Sequence, residues 1–309
     1  EILTLFDQVS CVQADHEDRP ADSESNRQSP PPDDQKSEAP RLQDPDIGRK
    51  SSRDEKTVQE SPLSYTALKR SLNSRFWERL FKRQTHGRPL VKICGLTQAE
   101  DALLCARLGA DLLGFVFAPS KRRANVELLK AVKDIPLLKV AVVVTRRLED
   151  PRSKEGLPLV QEIEQMLSQG LVDVIQFHGE EDPKECFQVA YPYYKALRLK
   201  SVGDIDQALK YHCPRVLVDA YSPAAWGGTG QQIPHTLVKT ARAKFPLWLA
   251  GGMGPHNVYD VLKDYHPELI DASSLLEASP GRKDPKKLKT FFDEIKRYTG
   301  DLSPGRDDK

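Results

Sequence analysis

The sequence predicts an α/β protein, a (β/α)₈ barrel preceded by a largely disordered N-terminal extension. Three observations carry this. From Pro89 onward, short apolar runs alternate with longer segments of helical period. Several of those segments open on Pro or follow Asp, Thr or Ser, as helix starts do. From about Gln13 to Ser61 the chain is acidic, rich in Pro and Ser, and nearly empty of large apolar side chains.

In chain order the strand candidates are Leu90 to Ile93, Leu112 to Phe117, Leu137 to Val144, Val172 to Phe177, Tyr193 to Leu199, Val216 to Val218, Leu247 to Ala250 and Leu269 to Ala272. Between and after them lie helix candidates at Gln98 to Leu108, Asn125 to Lys133, Pro158 to Ser168, Pro183 to Ala190, Asp204 to Tyr211, Pro234 to Lys244, Pro255 to Asp264 and Pro285 to Arg297. Repeated β-then-α units form a parallel sheet covered by helices. Eight such units close a barrel, and an open doubly wound sheet is the rival. The expected organisation is a disordered extension or linker over 1–62, a basic amphipathic helix over 63–87, a barrel over 88–300 and a disordered tail over 301–309.

The extension, with runs such as Ser29-Pro30-Pro31-Pro32-Asp33-Asp34, cannot bury enough apolar surface to offset the entropy of ordering. In the basic segment Leu68, Leu72, Phe76, Leu80 and Phe81 recur at helical spacing, opposite Lys69, Arg70, Arg75, Arg79, Lys82 and Arg83. Such a helix packs its Phe and Trp77 side on the barrel, capping one end, or serves a membrane surface or a partner.

Lys and Arg number 46 against 45 Asp and Glu, so bulk charge gives no reason to expect a nucleic-acid partner. No apolar run approaches the roughly 20 residues of a membrane span. Cys11, Cys94, Cys105, Cys186 and Cys213 are an odd, scattered set with no C-x-x-C pair. Neither a disulfide framework nor a metal site is indicated, and a reducing compartment follows. The expected location is cytoplasmic, with an organelle left open.

In a parallel barrel, chemistry sits at the C-terminal ends of the strands. Val91-Lys92-Ile93-Cys94-Gly95-Leu96-Thr97 delivers Cys94 to the first of those ends. The others deliver Ala118-Pro119-Ser120-Lys121-Arg122-Arg123, His178-Gly179-Glu180, Arg198, Asp219, Gly251-Gly252, and Asp271 with Ser273-Ser274. Glycine-rich loops let backbone N-H groups approach an anion closely, and a short helix near Ser274 would add its positive end. Gly227-Gly228-Thr229-Gly230, Gly251-Gly252 and Ser273-Ser274 at successive strand ends therefore point to a phosphorylated substrate.

Lys92-Ile93-Cys94-Gly95-Leu96-Thr97, Gly114-Phe115-Val116-Phe117 with Ser120-Lys121-Arg122, and Gln176-Phe177-His178-Gly179-Glu180 together carry a resemblance. So do Val218-Asp219 with Gly227-Gly228-Thr229-Gly230, Ala250-Gly251-Gly252, and Asp271-Ala272-Ser273-Ser274 with Glu277, Pro280-Gly281 and Lys283-Asp284. From about Pro89 to Arg297 the chain resembles, in colinear order, the phosphoribosylanthranilate isomerases, TIM-barrel enzymes of tryptophan biosynthesis.

The resemblance implies a cofactor-free Amadori rearrangement by general acid and base catalysis. N-(5-phosphoribosyl)anthranilate becomes 1-(2-carboxyphenylamino)-1-deoxyribulose 5-phosphate. By match to the family, Asp219 is the acid that protonates the ring oxygen and Cys94 the base that removes the C2 proton. Arg122 holds the anthranilate carboxylate, and Asp271 lies near the substrate's hydroxyl or amine groups. Gly228, Thr229, Gly230, Gly251, Gly252, Ser273 and Ser274 receive the phosphate. His178 shares the rim, and this mechanism gives it no proton to carry. A thiolate base needs a positive local field, and Cys94 is read as lying just before a helix start.

The family pattern Ser-Ser-Gly-Val-Glu is here Ser273-Ser274-Leu275-Leu276-Glu277, which matters if residue 275 needs a positive φ. Alternatives are another phosphosugar barrel enzyme, such as the histidine-pathway isomerase or a pentose-phosphate epimerase, or a barrel that binds without catalysing. The metal-ligand histidines of an epimerase are not assembled, and the first strand ends in Cys94 where the histidine-pathway enzyme would carry an aspartate. A start at Glu1 and the linker-like stretch from Gln13 to Ser61 raise the further expectation of a chain joined to indoleglycerol-phosphate synthase.

Overall fold

The computed structural model describes residues 75–84, 87–145, 156–219 and 235–302. The expected extension over 1–62, the first part of the basic segment, residues 146–155, the tail from 303, and Gly228, Thr229 and Gly230 lie outside the described residues.

Eight parallel strands close into a barrel in sequence order. They are β1 Leu90–Ile93, β2 Leu112–Val116, β3 Leu138–Val143, β4 Val174–Phe177, β5 Tyr193–Arg198, β6 Val216–Asp219, β7 Trp248–Ala250 and β8 Leu269–Ala272. Closure runs through β1 and β8, with Leu90 opposite Leu269 and Ile93 opposite Ala272. The (β/α)₈ reading therefore holds, and the open sheet is excluded.

A helix over 75–81, α1, precedes the barrel. Around the barrel run α2 Ala99–Leu108, α3 Val126–Ala131, α4 Gly156–Ser168, α5 Pro183–Gln188, α6 Val202–Ala208, α7 His235–Lys244, α8 Val258–Tyr265 and α9 Pro285–Asp301. Their starts follow local chemistry. Asp182 and Asp284 cap α5 and α9 by accepting from backbone N-H groups two or three residues on, with Pro in the first turn of each. Asp204 forms a capping box with Ser201, which places it inside α6. α8 begins three residues after Pro255, because Asn257 ties its side chain to the Gly254 N-H and the Gly252 carbonyl and holds that stretch as a turn.

Because side chains alternate across each strand, Val91, Ile93, Leu113, Phe115, Ile175, Phe177, Val218 and Ile270 pack outward in the main apolar core. The alternate residues point into the barrel. Several of these are polar yet almost fully buried: Lys92, Gln176, Tyr194 and Asp271.

α1 closes the end of the barrel opposite the strands' C-terminal ends. Trp77 is 1% exposed and lies 5.8 Å, centroid to centroid, from Trp248 at the start of β7. Arg79 pairs with Asp173 just before β4, and Arg83 donates to the Pro136 carbonyl before β3. Of the two readings of the basic segment, the barrel-capping helix is the one seen, over 75–81. A cleft of about 680 Å³ lies at this closed end between Phe81, Pro89, Leu262 and Leu302. Its charged groups are partly committed, Arg88 to Asp111 and Glu268 to Arg215. Among the described residues, no helix is long and apolar enough to cross a membrane.

Candidate active site

A cleft of about 390 Å³ opens at the C-terminal ends of the strands. It gathers Cys94, Arg122, His178, Asp219, Asp271, Gly251, Gly252, Ser273 and Ser274 around one rim, with Gln176 and Arg198. Every described candidate from the sequence is there.

Cys94 follows β1 and is half-buried. Its N-H donates to the Ala272 carbonyl at 2.9 Å, so the cysteine continues the β1 to β8 ladder. Gly114 on β2 makes room for it: a Cβ there would come 2.8 Å from the Cys94 Sγ. Gly95 turns the chain at φ 77°, where a side chain would strike Arg122 and Ser273.

The positive field expected at Cys94 has a different source from the one read in the sequence. α2 begins only at Ala99, five residues beyond Cys94. Two buried lysines supply the field. Burial pushes the thiol above its ordinary value, Lys92 and Lys283 pull it back, and Asp271 works against them, leaving it raised. Lys283 Nζ also clamps the rim, donating to the carbonyls of Cys94 at 2.7 Å and Ser273 at 3.1 Å.

Lys92 and Asp271 stand opposite each other across the β1 to β8 ladder and form a buried ion pair. Burial favours the neutral amine, yet attraction to Asp271, Cys94 and Tyr194 outweighs it and holds Lys92 charged. Asp271 gives Oδ2 to Lys92, and its Oδ1 is a buried acceptor with no hydrogen-bond partner among the described residues. A buried acceptor left open at a cleft is a place for a donor.

Arg122 is already held. Its Nε and Nη2 fork onto Glu277 at 2.7 to 3.1 Å, leaving the Nη1 end of the guanidinium for another anion. Burial would raise the Glu277 carboxyl, but hydrogen bonds from Arg122 and the Lys283 charge hold it below the ordinary carboxylate range.

Across the cleft, His178 Nε2 lies 3.0 Å from Asp219 Oδ2. Behind it, Gln176 Nε2 lies 2.9 Å from His178 Nδ1, and the Tyr194 hydroxyl donates to Gln176 Oε1 at 2.9 Å. His178 therefore serves Asp219 directly.

On the β7 and β8 side, Gly251 and Gly252 take φ values of 99° and 58°, conformations that suit glycine. The helix expected near Ser274 is one 3-10 turn, Ser274–Leu276, that runs straight into a short hairpin, β9 Glu277–Ser279 and β10 Arg282–Lys283. Leu275 is not among the positive-φ residues, so leucine in place of the family's glycine costs no backbone strain.

The comparisons with known proteins decide the family. The family model described as "N-(5'phosphoribosyl)anthranilate (PRA) isomerase" matches residues 91–294. The chain belongs to the phosphoribosylanthranilate isomerase family. N-(5'-phosphoribosyl)anthranilate isomerase of Neisseria gonorrhoeae is 38% identical over 211 residues, 68% of this chain and 97% of that relative. The Geobacter sulfurreducens isomerase is 35% identical over 212 residues, 67% and 98% of the two chains. The crystal structure of the Thermotoga maritima isomerase aligns with a TM-score of 0.57 at 33% identity, covering 68% of this chain and 99% of that one. A solved phosphoribosylanthranilate isomerase in complex with reduced 1-(o-carboxyphenylamino)-1-deoxyribulose 5-phosphate aligns at 0.56 and 31%, with the same coverage. α1 precedes the stretch matched by the family model.

Sequence reasoning singled out the residues at the strand ends of this isomerase fold and passed over those beneath them. Lys92, Gln176, Glu277 and Lys283 stand in the family motifs, and Tyr194 in the fifth strand, with no role assigned to any of them. One signal was available: a lysine between Val91 and Ile93 in a fully buried strand requires a buried counter-charge.

Proposed function

We propose that this member of the family isomerises N-(5-phosphoribosyl)anthranilate with Asp219 as the general acid and Cys94 as the general base. The observation that carries the reading is their placement on the rim of one cleft, after β1 and at the end of β6, each with its own supporting side chains. Cys94 has Lys92 and Lys283, and Asp219 has His178.

Asp219 gives its proton to the furanose ring oxygen. The C1 to oxygen bond breaks and the nitrogen lone pair forms the Schiff base. The Cys94 thiolate then takes the C2 proton, and those electrons make the C1 to C2 double bond of the enolamine. Tautomerisation to the aminoketose returns a proton to C1 and removes the one on the C2 hydroxyl. The two groups need opposite protonation states at the same pH, which requires distinct environments. Buried ammonium groups favour the thiolate. An uncharged N-H donor at a carboxyl favours the carboxylate less than an imidazolium would.

Arg122, steadied by Glu277, offers its remaining edge to the anthranilate carboxylate. The open Oδ1 of Asp271 accepts from the substrate's amine or a sugar hydroxyl, and His178 borders the sugar. The phosphate rests on Gly251, Gly252, Ser273 and Ser274, with Gly228, Thr229 and Gly230 completing the cradle from the loop after β6. The linker-like composition of residues 13–61 supports a chain joined to indoleglycerol-phosphate synthase, which the upstream reading frame tests. A cytoplasmic location accords with the free cysteines and is tested by fractionation.

The direct assay is incubation of the purified protein with phosphoribosylanthranilate. Loss of anthranilate-type fluorescence with formation of the aminoketose, identified by mass and absorbance, is the expected result. A protein that binds the reduced product analogue and yields no product would be a barrel that binds without catalysing.

A further inference from the structure

We infer that Tyr194, Gln176 and His178 form a buried chain that selects which oxygen of Asp219 carries the transferable proton, making His178 a positioning residue for the acid step. The inference rests on the reading of Asp219 as the acid.

Tyr194 and Gln176 are fully buried and face each other across the β4 to β5 ladder. The tyrosine hydroxyl donates to Gln176 Oε1, so the amide must present its NH₂ group to the other side. What lies there is His178 Nδ1. An amide nitrogen only donates, so Nδ1 accepts and carries no hydrogen. The imidazole proton is then on Nε2, aimed at Asp219 Oδ2.

This tautomer has a consequence for Asp219. Oδ2 accepts from His178 and cannot also bear the acid proton within that hydrogen bond. The proton belongs on Oδ1. Protonating His178 at Nδ1 would break its bond to Gln176, so the buried amide also opposes formation of an imidazolium against the carboxyl. The pair is thus a neutral donor beside an acid, and an imidazolium–carboxylate salt bridge is disfavoured.

The charged and titratable groups facing this corner are compatible with that state. Asp219 comes from β6 and Asp271 from β8, the latter engaged by Lys92 of β1. Cys94 and Arg122 stand across the cleft, and Arg198 is the register partner of Asp219 on β5. Lys195 and Glu181, behind His178, are paired with each other.

The test uses the full chain labelled with ¹⁵N-histidine. The expected spectrum at neutral pH has His178 Nδ1 unprotonated and Nε2 protonated. A protonated Nδ1 near neutrality, as the other tautomer or as imidazolium, overturns the inference. Gln176→Glu replaces the donor with an acceptor of the same shape. The expected result is a proton on Nδ1, together with a shift of the alkaline limb of kcat to lower pH by roughly one unit or more. His178→Gln keeps an N-H directed at Asp219 and should hold kcat within roughly tenfold, whereas His178→Leu should lose roughly a hundredfold with KM little changed. Equal losses for Gln and Leu would overturn the positioning role. Wild-type turnover by Asp219→Asn would sink the acid assignment while leaving the tautomer readable by NMR. An inactive Asp219→Asn with an unmoved limb in a folded Gln176→Glu would sink the chain alone.

Discussion

Lys92 and Asp271 are ion-paired inside the barrel, cross-strand neighbours of β1 and β8 that sit beneath the half-buried Cys94. The pair does two things. It keeps a fixed ammonium near the thiol, and it holds Asp271 with its Oδ1 buried and unpartnered among the described residues.

Removing the ammonium should be felt in the pH dependence. The Cys94 thiol is raised by burial and partly restored by Lys92. Because the base must be ionised and the acid protonated, the rising limb of kcat/KM should follow the thiol and the falling limb the Asp219 carboxyl. Lys92→Met should push that rise to higher pH. It should also destabilise the fold by roughly 3–5 kcal/mol through the stranded Asp271, unless that carboxyl takes up a proton. Lys92→Met combined with Asp271→Asn should recover much of the stability without the activity, as urea unfolding and pH-rate profiles would show.

Gly114 is a second handle on Cys94. A methyl group there would come 2.8 Å from Sγ and 3.0 Å from the Cys94 Cα, so the cysteine must move. Gly114→Ala should lower kcat by roughly tenfold to a hundredfold through misplacement of the base. Steady-state kinetics beside a urea midpoint would separate this from a general loss of stability.

Glu277 makes an acid-stability prediction. Its folded carboxyl is held below the ordinary value by Arg122 and Lys283. The unfolded value is about 4.3, so the stabilisation is complete above that pH and is lost as pH falls through the lower folded value. Glu277→Gln should therefore weaken the protein at pH 7 and flatten the fall in stability below about pH 4. Unfolding midpoints at neutral and acid pH would check the sign.

Trp77 ties α1 to the barrel floor through Trp248 and packs against Phe76 and Phe81 of its own helix. Trp77→Ala should cost roughly 3–5 kcal/mol. With the cleft at the opposite end, KM should be unchanged. Denaturant unfolding and initial-rate measurements on the same variant would test both parts.

The barrel was legible because eight apolar runs separated by capped helical segments admit few topologies. β1 and β8 have the bounds read from the sequence, whereas the fourth run starts at Val172 and the strand at Val174. Val172 is buried in the preceding turn, and burial alone does not place a residue in a ladder. Cys94, Asp219 and Asp271 were legible because strand ends follow from the pattern. The Tyr194, Gln176 and His178 chain was not, because it depends on the β4 to β5 register and on which strand face points inward. The source of the field at Cys94 was misread for a related reason: Lys283 reaches the rim only through the β9 and β10 hairpin, which local sequence does not reveal.

The most direct test of the account is turnover of Cys94→Ala and Asp219→Asn measured beside their affinity for the reduced product analogue. Each variant should lose roughly a hundredfold to ten-thousandfold in kcat while still binding the analogue. Turnover near the wild-type rate in both would contradict the assignment of base and acid.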